Sequence, residues 1–382
     1  LISLMILNRL LKQQNNFFWD GENLMKITTH RLALIGFGNV GQGLTTIISS
    51  KSAELEALGM KVQIVAVSDP IKGSIYDPNG LDAESLLKAL QNGKTLDTLS
   101  APYTGWSAIR TIEEADIDTV VELAYTDLKT GEPALTHMET ALRRGLNVIT
   151  TNKGPIALHY DKLMKLAKEN DAHLRVEGTV MSGTPTLLFG LEHLVAAGIT
   201  KIEGILNGTT NYIITRMMEG KSYSEALREA QELGYAEADP TGDVEGHDAA
   251  AKVVILANLL MKQSLKLQDV DREGISKLTP EDIAKAKEEN EYVKLIGRIE
   301  CSSEGCTAEV RPMRIPTSHP LASIHGATNA ITYTTDILGE VTLIGPGAGR
   351  METGYAIIAD LMAIHKEFVR SVIGQFGERV VP

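Results

Sequence analysis

The run from Arg31 to Gly43, Arg-Leu-Ala-Leu-Ile-Gly-Phe-Gly-Asn-Val-Gly-Gln-Gly, constrains this chain most, because an apolar strand stops directly on a glycine-rich turn. Gly36, Gly38 and Gly41 fit G-x-G-x-x-G around Phe37, Asn39 and Val40, and the text reads on as helix to Ile48. The first glycine permits a tight turn, the second lets a pyrophosphate approach the backbone, and the third lets helix pack on strand. The helix N-terminus then offers free N–H groups and a positive dipole end to phosphate. A second strand, Val62 to Asp69, ends in a carboxylate placed to accept ribose hydroxyls. That favours NAD, although Lys72 close by keeps NADP open. The acid lies further along than the usual spacing of about 20 residues, because the intervening helix is long.

Alternation of strand and helix continues. Thr119–Ala124 reads as a buried strand, Pro133–Arg144 as helix and Asn147–Thr151 as strand. Lys153 follows at the carboxyl end of that strand, where open α/β sheets place their ligands; a lone loop lysine is otherwise a solvated residue. The chain then predicts a helix over 160–170, a strand Leu174–Val180, a turn at Met181–Pro185 and a helix to Ala197. Further strands are expected at Lys201–Leu206, 307–315, 329–335 and Glu340–Ile344. Helices are expected after the Asn207–Asn211 turn and over 222–233, 248–262, 279–296 and Thr353–His365. This is a second α/β domain, with the closing helix returning to the first. The expected division is an extension over 1–24, a dinucleotide-binding domain over 25–156 completed by 336–382, and a substrate domain over 157–335.

Composition removes other classes. Net charge is −12 over 382 residues, and binding a nucleic-acid backbone rests on a positive surface, so no nucleic-acid partner is expected. The apolar opening Leu1–Leu11 is too short to span a bilayer and lacks a signal peptide's basic start and small-residue cleavage site. We therefore expect no membrane partner. Cys301 and Cys306 are too few for a disulfide scaffold, and no second pair completes a zinc site. A reducing, cytoplasmic setting follows as the default.

The segment Gly234–Lys252 gathers Glu237, Asp239, Asp243, Glu245 and Asp248 ahead of an apolar helix that carries Lys252. Asp248 and Lys252 are four residues apart and share one helix face. An acid and an amine so placed suit a small zwitterion with a reacting oxygen, although at the surface such a pair is worth only a few tenths of a kcal/mol. Polar residues at other strand ends, among them Glu177, Asn207 and Thr209, read singly as turn residues.

Taken together, Gly-Phe-Gly-Asn-Val-Gly (36–41), Thr-Asn-Lys (151–153), Glu-Gly-Thr-Val-Met-Ser-Gly-Thr-Pro (177–185), Asn-Gly-Thr-Thr-Asn (207–211) and the 234–252 run resemble homoserine dehydrogenase across residues 30 to 365. The resemblance implies a Rossmann domain with an α/β substrate-binding and dimerising domain, acting as a homodimer. It implies NAD(P)-dependent, reversible oxidation of L-homoserine to L-aspartate 4-semialdehyde, within the aspartate-derived route to threonine, methionine and isoleucine. Lys252 is implied to handle the proton, with Lys153 assisting. Glu237, Asp243, Asp248 and Thr209 are implied to hold the substrate. Ala124, Lys153, Gly234 and Gly347 are implied to join the glycine loop and Asp69 around the cofactor. A monovalent cation, Na+ or K+, is implied at Glu177, Val180, Ser182 and Thr184. Where the family often has Ser or Thr beside the nicotinamide, this chain has Ala124, which leaves only a backbone contact there. No amino-acid-sensing domain follows the closing helix, so threonine is not expected to inhibit allosterically. The alternatives are another NAD(P)-dependent dehydrogenase of a small amino acid, such as aspartate, which would not need the 237–252 run, and a non-catalytic NAD sensor.

Overall fold

The computed structural model describes residues 17–20, 23–303 and 305–377, with side chains over 27–303 and 305–370. Of the expected extension over 1–24, residues 1–16 and 21–22 lie outside the described residues. β1 (Phe17–Asp20) pairs antiparallel with β2 (Asn23–Lys26) as a separate two-stranded sheet.

The first large sheet is built from β3 (Thr28–Ile35), β4 (Met60–Asp69), β5 (Gly73–Tyr76), β6 (Tyr103–Thr104), β7 (Thr119–Glu122), β8 (Asn147–Thr150) and β9 (Leu174–Arg175). Its order is β6-β5-β4-β3-β7-β8-β9, parallel from β4 to β9 and antiparallel at β5 and β6. The chain leaves β3 on one side to make β4 and later returns on the other side as β7. Connections therefore diverge at the carboxyl ends of β3 and β7, and a crevice opens there. Both faces are buried, as a parallel sheet requires. Leu32 and Leu34 point into a cluster with Leu44, Ile47, Ile357, Leu361 and Ile364. Ala33 and Ile35 point the other way, toward Ile112, Met138, Leu142 and Leu163.

The cluster around Leu32 is closed by two helices, Asn39–Ser50 and the C-terminal Arg350–Gly377. They cross closely enough that a Cβ on Gly354 would lie 2.7 Å from the Leu44 nitrogen. His365 on the closing helix meets His30 of β3, with Nδ1 and Nε2 3.1 Å apart. Burial, and then the neighbouring His365, lower His30 from 6.5 to about 4; burial also lowers His365. A histidine held neutral in the fold contributes stability that is complete above its unfolded pKa and is lost as pH falls toward its folded one. The window here is pH 6.5 down to about 4, worth on the order of 3 kcal/mol. We expect the melting temperature of His30→Gln to fall less steeply over that window than the parent's. The comparison isolates the pair, since buried Glu177, raised to about 7, titrates in the opposite sense.

The second large sheet contains β10 (Ile199–Ile205), β11 (Asp271–Arg272), β12 (Glu291–Ser302), β13 (Gly305–Pro316), β14 (Thr328–Thr335) and β15 (Gly339–Pro346). Its order is β11-β13-β12-β10-β14-β15, antiparallel except at β11. One face carries Ile202, Ile299, Ile331 and Tyr333 into a core with Leu187, Ile213, Val253 and Val254 from three helices. The other carries a charged row in which Arg298 bridges Glu203 (2.7 Å) and Glu309 (3.3 Å).

Several expectations are corrected. The strand expected over Leu174–Val180 ends at Arg175, and Glu177–Thr179 is a 3-10 turn. There the buried Asp360 carboxylate takes the Glu177 N–H (2.9 Å), which withdraws that backbone from a strand ladder. The helix expected over 279–296 is Pro280–Glu288 followed by β12. Asn290, at φ 58, takes the left-handed conformation that ends helices. The helix expected from Tyr160 begins at Lys153, with a break at His159. β9 joins the first sheet, and β15, inside the 336–382 segment, joins the second; the helix after it returns to the first. Cys301 and Cys306, expected as two thiols, face each other across the β12–β13 hairpin as a disulfide. It closes a very short loop, where cross-linking removes little chain entropy.

Candidate active site

A cleft of about 1400 Å³ lies between the carboxyl ends of β3, β7 and β8 and the helix-start side of the second sheet. On the first side the glycine turn is shaped for a close ligand. Gly36 sits at φ 100, and a Cβ there would meet the Leu123 carbonyl oxygen at 2.5 Å. Gly38 has open space where its Cβ would be, and no side chain caps the helix that starts at Asn39. That helix start is a ready anion site, so the loop fits a dinucleotide pyrophosphate. Gly41 packs beneath the Phe37 ring, Phe37 is buried, and Val40 lines the cleft.

Asp69, at the end of β4, is tied to this loop. Its carboxylate accepts the N–H groups of Phe37 (2.8 Å), Ile71 (2.9 Å) and Lys72 (2.8 Å). Burial alone would raise the carboxyl, but those donors bring it below its ordinary value. The Lys72 amine donates to the Phe37 carbonyl (2.7 Å), so a cation stands beside this carboxylate. Ala124 lines the cleft with its backbone held at both ends. Its N–H reaches Glu122 Oε1 (3.2 Å), and its carbonyl accepts from Asn152 Nδ2 (3.2 Å).

Across the cleft the helix His247–Leu260 presents Asp248 and Lys252 one turn apart, as their spacing requires. Lys252 is 6 % exposed. Its Nζ donates to the Leu206 carbonyl at 2.6 Å and meets Asp248 Oδ2 at 2.7 Å. An ammonium has three donors, and among the described residues the third has no hydrogen bond. Lys153, the first residue of the helix Lys153–Glu169, reaches across to Asp248 Oδ1 at 3.2 Å. Asp248 thus stands between two ammonium groups, one from each side of the cleft.

Asn207, at the end of β10, completes the cluster. Its Nδ2 donates to Asp243 Oδ1 (2.7 Å) and Asp248 Oδ2 (3.0 Å), and its Oδ1 caps the next helix at Thr210 (2.9 Å). The two acids are driven apart. Burial would raise Asp248, but Lys252 and Lys153 hold it well below the carboxylate range. Burial and the Asp248 charge raise Asp243. Paired groups displaced in opposite senses mark sites of proton chemistry.

Glu237 stands apart from this cluster, exposed on the rim beside Gly234. Thr209 ties that rim inward, its hydroxyl donating to the Tyr235 carbonyl at 2.6 Å. Gly347 lines the opposite wall, packed on the buried Asn329 amide. Glu177 is engaged as a helix cap, accepting N–H from Thr186 (2.6 Å), Leu187 (3.0 Å) and Leu188 (2.6 Å). Val180, Ser182 and Thr184 continue that turn as buried residues, with Ser182 at φ 55. No group of three or more Asp, Glu, His or Cys side chains that could hold a metal occurs among the described residues. Sequence reasoning did not include Asn207, Glu122 or Asn152 among the site residues. The available signal was their shared position, a polar residue directly at or after the end of a buried strand.

The chain is similar to known proteins along most of its length. The family described as homoserine dehydrogenase, NAD binding domain, matches residues 36–177, and the family described as homoserine dehydrogenase matches 185–362. An NAD(+)-dependent homoserine dehydrogenase of Pseudomonas canavaninivorans is 43% identical over 354 residues, 90% of this chain and 98% of the relative. A homoserine dehydrogenase of Methanocaldococcus jannaschii is 40% identical over 87% of this chain and 98% of its own length. Among solved structures, the homoserine dehydrogenase of Thiobacillus denitrificans superposes with TM-score 0.77 at 31% identity, covering 89% of this chain and 74% of that one. A hyperthermophilic archaeal homoserine dehydrogenase in complex with NADPH gives TM-score 0.75 at 30% identity, covering 88% and 97%. With the glycine turn, the acid ending β4 and the lysine-bracketed carboxylate all in one cleft, this chain belongs to the homoserine dehydrogenases, oxidoreductases that act on a CH–OH group.

Proposed function

We propose that Lys252 carries the proton in the interconversion of L-homoserine and L-aspartate 4-semialdehyde, with Lys153 assisting and Asp248 holding both amines in place. The observation that carries this reading is the Asp248 carboxylate between Nζ atoms at 2.7 and 3.2 Å. The bound nicotinamide supplies the hydride chemistry at the substrate carbon. In the reducing direction the third Lys252 N–H donates to the carbonyl oxygen as it becomes an alkoxide. In the oxidising direction the same nitrogen takes the hydroxyl proton. Asp243, Asp248 and Thr209, with Glu237 from the rim, bind the substrate ammonium and hydroxyl. Gly36 to Gly41, Asp69, Ala124, Lys153, Gly234 and Gly347 form the cofactor's surroundings.

Asp69 supports a preference for NAD, since a carboxylate suits ribose hydroxyls and repels a 2′-phosphate. Lys72 beside it supports residual use of NADP. Initial rates of homoserine-dependent reduction, measured with both cofactors side by side, test this. Lys72→Ala should lower the NADP-to-NAD ratio of kcat/KM by about tenfold, the effect of losing one charge-assisted phosphate contact. An unchanged ratio would clear Lys72 of any part in the choice.

The backbone oxygens of Glu177, Val180, Ser182 and Thr184 are the donors we propose for Na+ or K+, since the Glu177 carboxylate is engaged as a cap. The charged face of the second sheet, with Ile344 57 % exposed near its edge, supports a homodimer through that sheet. Light scattering should then return about twice the chain mass of 41.4 kDa. A cytoplasmic location belongs to the same reading on the ground of the biosynthetic reaction alone. Separately, no described helix is long and apolar enough to cross a membrane. For the domains, the two large sheets support a division near residue 176 with a return at 350.

A further inference from the structure

We propose that Glu122 is a positioning residue for Lys153, acting through the amide of Asn152. This rests on the role proposed above for Lys153. Glu122 ends β7 and is 0 % exposed, a carboxylate with no access to water. Its oxygens take donors from three directions: the Ala124 N–H (3.2 Å), His137 Nδ1 (3.2 Å) and Asn152 Nδ2 (3.4 Å). Asn152 is 2 % exposed, and the same Nδ2 also donates to the carbonyls of Ala124 (3.2 Å) and Tyr125 (3.0 Å). With every acceptor on that side, the amide must turn its oxygen the other way. There Oδ1 accepts the Gly154 N–H at 3.1 Å and caps the helix Lys153–Glu169.

Lys153 is the first residue inside that cap. The carboxylate therefore orients the amide, the amide sets where the helix begins, and the helix start aims the amine that meets Asp248. The same carboxylate pins the cleft-lining backbone at Ala124. A buried charge with these partners is costly unless it is fully hydrogen-bonded. Its placement directly under two cleft-lining segments gives it a use beyond packing.

Glu122→Gln keeps the shape and leaves one acceptor oxygen where there were two. Either Asn152 Nδ2 or the Ala124 and His137 donors then face an N–H₂ group. We expect kcat to fall about ten- to hundredfold, the scale of a small misplacement of a reacting group. The homoserine KM and the NADH dissociation constant, read by fluorescence titration, should stay within about threefold. In a Lys153→Ala background Glu122→Gln should lower kcat no further, because residues acting as a unit are not additive. Should Glu122→Gln fail to fold, Asn152→Ser makes the same test, since serine still caps Gly154 but lacks the N–H₂ group whose two hydrogens are shared among Glu122 and the Ala124 and Tyr125 carbonyls. Losses in kcat that add in the double variant, or a rise in KM with kcat unchanged, would overturn the positioning role while leaving Lys153 its own. Full turnover in Lys153→Ala alone would remove the role of Lys153 and this inference with it.

Discussion

Lys252→Ala should lower turnover in both directions by ~10²–10⁴-fold, the range for losing a positioned proton carrier, with little change in the homoserine KM. The amine is nearly enclosed and has two fixed partners, the Leu206 carbonyl and Asp248. It is therefore delivered to the cleft in one orientation, and water entering the vacancy would not reproduce that geometry. Truncation also leaves the Leu206 carbonyl without its lysine donor and Asp248 Oδ2 with only the Asn207 amide, so some stability will be lost as well. Lys252→Met fills the space and separates the two effects. Both variants should show the same fall in kcat, and Met the smaller fall in melting temperature. A variant that bound homoserine poorly yet turned over normally at saturation would make Lys252 a binding group instead.

Gly36→Ala should weaken cofactor binding severely. The residue sits at φ 100, where an L side chain is strained by ~1–3 kcal/mol, and its Cβ would meet the Leu123 carbonyl at 2.5 Å. Both are backbone, so the crevice between β3 and β7 must spread. We expect at least about a hundredfold rise in the NADH dissociation constant, equivalent to roughly 3 kcal/mol, together with a lower melting temperature. Gly38→Ala is the contrast. It has φ −70 and open space around its Cβ, so the fold should melt unchanged while the methyl obstructs the approach of the pyrophosphate. Normal NADH titration with Gly38→Ala would show that the phosphates lie elsewhere.

The first sheet was largely legible in the sequence because its strands are short apolar runs that stop on glycine, acid or asparagine. Those stops are also where the cleft opens, so the glycine turn, Asp69 and Lys153 could be placed at its edge from sequence alone. The Asp248–Lys252 pair was legible for a different reason: helical spacing fixes a shared face. Lys153 meeting Asp248 was not, since it joins residues 95 apart through the docking of two sheets. Glu122 reads as one more strand residue, and only burial with three donors gives it meaning. The errors at 174–180 and 279–296 share a cause. In each, local apolar character was overruled by a single polar or left-handed residue, through Asp360 taking the Glu177 N–H and through Asn290. That Glu237 stands on the rim while Asp243 and Asp248 lie inside was not legible, because sequence proximity does not say which side of a turn faces inward.

The closing helix, laid against β3 and the helix Asn39–Ser50, gives synthesis of this chain an order of events. While the ribosome is still making the middle of the protein, the first helix carries Leu44 and Ile47 with nothing over them from Ile357, Leu361 or Ile364. At 5–20 residues per second that wait lasts roughly 15–60 s. The nucleotide half precedes the substrate half but is sealed by a helix that follows it, so a nascent chain stalled between the two is left with an oily flank awaiting that helix.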